Sequence, residues 1–236
     1  MTIDTLEEQP SLFAPALSIE IASSQDLIPP LAFTPISAPT ILRINEISSI
    51  VAPPGPKPVE VFTNAAPAAL DNADAITLPG GIKPMVFKDP GEYEVAGVVI
   101  TGINSFHDDS EGTERGKNII FHLIFDGLNI VHLGDLGQTK LTEEQITQIG
   151  QVDILIVPVG SIYTINGKAA AAIVSQLEPK IIIPMHYKIE GLKFELEGAE
   201  GFLKEMGVEN VIPQPKLSIS KDKLPEEPQV VILSKS

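Results

Sequence analysis

The chain has 236 residues, a formal net charge of −15, 43% hydrophobic residues and only 5% aromatic ones. That length is enough for one large domain with an aliphatic core, and the acidic balance disfavours nucleic-acid phosphates and anionic membranes as partners. Cysteine is absent, which excludes disulfides, thiolate metal sites and cysteine nucleophiles.

Residues 1–16 read as a loose leader without the basic and apolar regions of a signal peptide. No window approaches the ~18 consecutive apolar residues of a membrane span. A cytoplasmic protein is the expectation. The first 90 residues hold 14 of the 21 prolines; each removes a ladder donor, so only short strands fit between them. Such runs occur at Leu17–Ala22, Thr40–Ile44 and Val59–Phe62, and an alanine-rich stretch from Asn64 to Asp74 reads as a short helix capped by Asn64.

From Met85 onward the punctuation is regular. Asp89-Pro90-Gly91 is a turn, and Glu92–Ile103 reads as one or two strands. His107 to Lys117 is a polar loop. Asn118–Phe125 and Leu128–Leu133 are apolar runs joined by Asp126-Gly127, a two-residue hairpin signal. Thr142-Glu-Glu-Gln145 is a capping box that opens a helix ending at Gly150. Asp153–Val159 and Lys180–Pro184 are buried strands around an alanine-rich helix, Asn166 to Leu177. A last helix covers Glu200–Met206, and short strands follow at Lys216–Ser220 and Gln229–Leu233. Hairpins followed by strand–helix–strand units predict a mixed α/β sandwich with helices covering sheets.

The chemistry-bearing residues gather where apolar runs stop. Asp135 follows Ile130–Leu133 across Gly134, His107 follows Ser105-Phe106, and His186 follows Pro184-Met185. Strand ends are where sites on α/β scaffolds collect. Imidazole and carboxylate suit zinc, iron or manganese. His122 lies mid-strand and reads as structural or surface. His132 reads as a hydrogen-bonded core histidine, with support of Asp135 as the lesser role. The acidic run Asp108-Asp109-Ser110-Glu111 is more often a solvated loop than a cation site. Neither G-x-S-x-G nor a phosphate-binding glycine motif is present, so a nucleophile-elbow hydrolase and a nucleotide site are unsupported.

Several motifs in one order carry a resemblance. They are Asp89-Pro-Gly-Glu-Tyr-Glu-Val95, Phe106-His107-Asp108, Arg115-Gly-Lys-Asn118, His132-Leu-Gly-Asp135-Leu-Gly137, Val152 to Gly160, Tyr163-Thr-Ile165 and Pro184-Met-His-Tyr-Lys188. Together the region from Asp89 to Leu233 resembles the metallo-β-lactamase-fold family, in the branch of Zn-dependent hydrolase-like proteins related to L-ascorbate-6-phosphate lactonase. The resemblance implies a single four-layer αββα domain over 17–236, with a divergent first half at 17–88 and a well-matched second half at 89–236. It implies a metal cleft with His107 as the third-motif histidine, Asp135 as the bridging aspartate and His186 as the last histidine.

The family's main metal motif, H-x-H-x-D-H, has no counterpart here. By the family's spacing Ala65, Pro67 and Leu70 would stand at its histidine positions, and no histidine precedes His107. Two ions ~3.5–4 Å apart share the bridging carboxylate in such sites, and a stable zinc site uses three or four protein ligands. This chain therefore leaves each ion one histidine and a share of Asp135. The expectation is a degenerate metal site, with hydrolysis weak or lost and a binding or scaffold role. The rival is an active mononuclear hydrolase of a small phosphorylated or lactone-like substrate. It would hold zinc, manganese or iron at His107, Asp135 and His186, with Asp135 and Asp108 as catalytic carboxylates. Expected partners are a small molecule or a protein, and exposed edge strands permit a homo-oligomer.

Overall fold

The structure, a computed structural model, describes residues 85–234 apart from 88, 96, 191, 193 and 194, together with the backbone of strands at 18–22, 41–45, 48–52 and 60–63. Thirteen strands form two sheets among the described residues. The six-stranded sheet comprises β1 (Ser18–Ala22), β2 (Ile41–Asn45), β3 (Ser48–Ala52), β4 (Glu60–Thr63), β5 (Met85–Phe87) and β12 (Leu217–Ser218). Its order is β12-β1-β2-β4-β3-β5. Strands β1, β2 and β4 lie within a residue of the runs expected from sequence, whereas β3 was not foreseen. The helix expected from Asn64 to Asp74 lies outside the described residues.

The seven-stranded sheet positions the site. It comprises β6 (Gly91–Val95), β7 (Val98–Phe106), β8 (Lys117–Phe125), β9 (Leu128–His132), β10 (Ile154–Pro158), β11 (Ile181–Met185) and β13 (Gln229–Val230). The order is β13-β11-β10-β9-β8-β7-β6. Strands β6 to β9 form an antiparallel meander, and β9, β10, β11 and β13 run parallel. The β8–β9 turn has positive φ at both central residues, 49° at Asp126 and 73° at Gly127. Two such residues form a type I′ turn, whose twist matches the strands it joins.

Strand alternation sorts side chains between two cores. Ile154 and Ile156 of β10, with Ile181, Ile183 and Met185 of β11, join Phe87 and Leu217 in one cluster, which places it between the sheets. Leu155, Val157 and Ile182 point the other way and pack with Ile149, Ile173, Val174 and Phe202. These last four belong to three helices, α1 (Glu143–Ile149), α2 (Gly167–Leu177) and α3 (Glu200–Glu205). A strand with both faces covered is apolar throughout, as all five residues of β10 and of β11 are. Each fully buried Ile or Leu contributes about 1.5–3 kcal/mol. No helix among the described residues is long and apolar enough to cross a membrane.

Candidate metal cleft

Strands β7, β9, β10 and β11 all point the same way, because β7 and β9 each pair antiparallel with β8 and β9 to β11 pair parallel. Their carboxyl ends therefore share one edge. His107 follows β7 there, Asp135 follows β9 and His186 follows β11.

Two glycines let these ends meet. A Cβ on Gly137 would overlap the backbone of His107 and Asp108, and one on Gly160 would overlap the His186 carbonyl. Backbone bonds hold the contacts, Gly137 N–H to the Phe106 carbonyl at 2.9 Å and Val159 N–H to that of Met185 at 3.0 Å. Any side chain at either glycine would push strand ends apart.

His186 Nε2 lies 4.0 Å from Asp135 Oδ1. The His186 backbone is left-handed, φ 51°, a conformation costing on the order of 1–3 kcal/mol in a non-glycine residue. His186 Nδ1 and His107 Nε2 are buried and have no hydrogen-bond partner among the described residues, which is uncommon for interior polar atoms. Burial lowers the basicity of His107; Asp135 opposes that effect, and the charges of Arg115 and His186 add to it.

Asn118 sets the turn that carries Asp135. Its Nδ2 donates to Ser105 Oγ at 2.7 Å and to the Leu133 carbonyl at 2.8 Å, and its Oδ1 accepts from Asp135 N–H at 3.1 Å. Asp108 is directed into its own loop. Oδ1 accepts from the amides of Ser110 and Gly112 at 2.9 and 2.8 Å, and Oδ2 from those of Glu114 and Arg115 at 3.1 and 2.7 Å. Burial raises its pKa, but the four amides outweigh that and bring it down to about 2. Asp109 accepts from Thr139. The structure thus brings His107, Asp135 and His186 to one rim and ties Asp108 to a loop-folding task.

The other histidines sit inside the sheet. His122 Nε2 meets Asn129 Oδ1 at 3.1 Å. His132 is buried, and its Nδ1 accepts from Gly134 N–H at 3.0 Å. Arg115 and Asn118 were not singled out as site residues from sequence, since their roles depend on partners distant along the chain.

Among the described residues no group of three His, Cys, Asp or Glu is arranged to hold a metal ion. The rim offers two histidines and one carboxylate, with a single pair at 4.0 Å. The described residues do not make up the ligand set of a metal centre.

A family model described as the β-lactamase superfamily domain matches residues 43–186. A UPF0173 metal-dependent hydrolase of Thermococcus onnurineus is 35% identical over 98 residues, 41% of this chain and 44% of that protein. One from Thermoplasma acidophilum is 26% identical over 153 residues, 64% of this chain and 68% of its own length. The chain thus spans less than half the length of the Thermococcus relative. A solved structure of a metallo-β-lactamase superfamily protein from Thermotoga maritima superposes with a TM-score of 0.52 at 39% identity, covering 62% of this chain and 70% of that one.

Proposed function

The chain belongs to the metallo-β-lactamase superfamily, and from that premise we propose that it is a divergent metal-dependent hydrolase homologue whose metal centre is incomplete. The supporting observation is a count of ligands. These 236 residues contain no cysteine and no histidine before His107, although the family match extends back to residue 43. With His122 and His132 built into the sheet, the described residues leave two imidazoles and one carboxylate at the rim. Two ions need more donors than that. On this reading hydrolysis is weak or lost, and the cleft serves to bind a small molecule or a protein.

The test is elemental analysis of protein purified from medium supplied with zinc, manganese and iron. Well under one ion per chain is expected, and a chelator should leave the unfolding midpoint unchanged, because a ligand that binds only the native state would raise it. Two ions per chain would overturn the reading. The partnerless Nε2 of His107 favours a second reading, a mononuclear hydrolase of a small phosphorylated or lactone-like substrate. One tightly held ion, lost in His186→Ala, would establish that alternative instead.

A further inference from the structure

We propose that Gln138 and Gln145 are positioning residues that stand in for a strand partner at the end of β7 and so fix His107 relative to Asp135. The two edges of β7 are paired over different lengths among the described residues. On one side β8 accompanies it to the end, with Phe106 opposite Lys117. On the other, β6 pairs only as far as Gly91 opposite Gly102. Past that point three bonds fill the edge. The Phe106 carbonyl accepts from Gly137 N–H at 2.9 Å. Phe106 N–H donates to Gln138 Oε1 at 3.0 Å, and the Asn104 carbonyl accepts from Gln145 Nε2 at 2.8 Å. Alternate residues of an antiparallel strand bond to the same side, so Asn104 and Phe106 face one edge together. A single backbone group and two side-chain amides thus do what β6 does further back.

The two glutamines are locked to each other. Each Nε2 donates to the other's Oε1 at 3.1 Å. Gln138 Nε2 also donates to the Lys140 carbonyl at 3.1 Å, and Gln145 Oε1 accepts from Thr142 N–H at 2.9 Å. A primary amide has two N–H bonds and an oxygen with two lone pairs, and on both side chains all of these are engaged. Both side chains are buried, where a fully satisfied polar pair is rigid and a broken one is costly. Gln138 follows Asp135 by three residues, so the pair ties the turn carrying Asp135 to the strand end carrying His107. On the other edge of β7, Asn118 joins Ser105 to Asp135. His107 and Asp135 are thereby held as one unit from both sides, and His186 takes part in none of these bonds.

The functional meaning of this clamp rests on the proposed reading of the cleft as the binding face, but its test requires neither metal nor ligand. Amide hydrogen exchange and amide NMR spectra are recorded on the full chain in chelator. In the native chain the Phe106 amide is expected to exchange as slowly as the β7 amides paired with β6. In Gln138→Met it should exchange about tenfold faster relative to Leu155 and Ile156 of β10, the scale of one lost hydrogen bond. The amide signals of His107 and Asp135 should shift, and those of Ser161 and His186 should not. Gln145→Met touches neither Phe106 nor Gly137, and should produce the same pattern through Gln138. Thr142→Ala removes the capping hydroxyl but leaves the pair intact, so the Phe106 rate relative to β10 should stay native. Gln138→Glu keeps an oxygen for the Phe106 amide and should restore slow exchange in part. Rapid exchange of Phe106 in the native chain would overturn the proposal, as would a native rate in either methionine variant. A rise matched equally in β10 would overturn it too, because that marks a global loss of stability. None of these outcomes bears on the ion count, so the clamp and the incomplete metal centre fail separately.

Discussion

His132 shows how one side chain couples the fold to pH. Burial alone pushes its pKa down to about 3 from the ordinary 6.5, and its Nδ1 lone pair is occupied by the Gly134 N–H. The folded chain thus resists a proton that the unfolded chain accepts below pH 6.5. Stability from this group is whole above that pH and drains as pH falls toward 3, by about 1.4 kcal/mol per pH unit while one extra proton is bound on unfolding. Urea titrations between pH 6 and 4 are expected to show a shallower loss in His132→Asn, whose side-chain oxygen can still accept from Gly134. Equal slopes would show that His132 is not the group responsible. Such a core histidine could be anticipated from its place in a buried run. The role of Asp108 could not, because four amides converge on its carboxylate only once the loop has closed.

Local signals at the scale of elements proved legible, and α1 shows why. Thr142 Oγ1 accepts from Gln145 N–H at 3.1 Å, and Gln145 Oε1 accepts from Thr142 N–H at 2.9 Å. This box needs only residues three apart, so sequence alone announces it. Thr142→Ala is expected to cost about 1 kcal/mol in urea unfolding; no measurable change would mean that tertiary packing holds the helix start unaided. Gln145 reaches further, since its Nε2 donates to the Asn104 carbonyl at 2.8 Å and to Gln138 Oε1 at 3.1 Å. Gln138 Oε1 in turn accepts from Phe106 N–H at 3.0 Å, one residue before His107. The Asp126-Gly127 hairpin was equally readable. Strand β3 was not: it owes its place to antiparallel partners in β4 and β5, and Ser48-Ser49 carry no strand preference of their own. The convergence of His107, Asp135 and His186 on one edge could be anticipated because each ends an apolar run. The Arg115 grip on residues 162 and 163 could not, being contact between two loops with no period to reveal it.

Taken whole, the seven-stranded sheet has two edges with different duties. The candidate site residues His107, Asp135 and His186 lie at the carboxyl edge, whereas Asp153, just before β10, closes the opposite one. Its carboxylate, 2% exposed, meets Lys221 Nζ at 2.5 Å and the backbone and side chain of Asn129 at 2.7 and 3.2 Å. Burial opposes ionisation there, yet Lys221 and Asn129 outweigh it and hold the carboxyl below its ordinary range. Its backbone carbonyl accepts from Lys180 and Ile181 as well, so one residue joins β9, β11 and the 3₁₀ turn Lys221–Lys223. Lys221→Met strands a buried charge with asparagine donors alone and should cost about 1.5–3 kcal/mol. Adding Asp153→Asn should recover part of that loss, since the penalty lies in the unpaired charge and not in the missing amine. An unaltered midpoint in Lys221→Met would show that solvent screens the pair, Lys221 being 42% exposed. A lowered midpoint in Lys221→Met, partly restored by Asp153→Asn, would show that the sheet is stabilised at the edge remote from the candidate cleft. A fold built that way can lose metal ligands at one edge without forfeiting the packing that holds the other, which is the physical condition for the drift inferred for this chain.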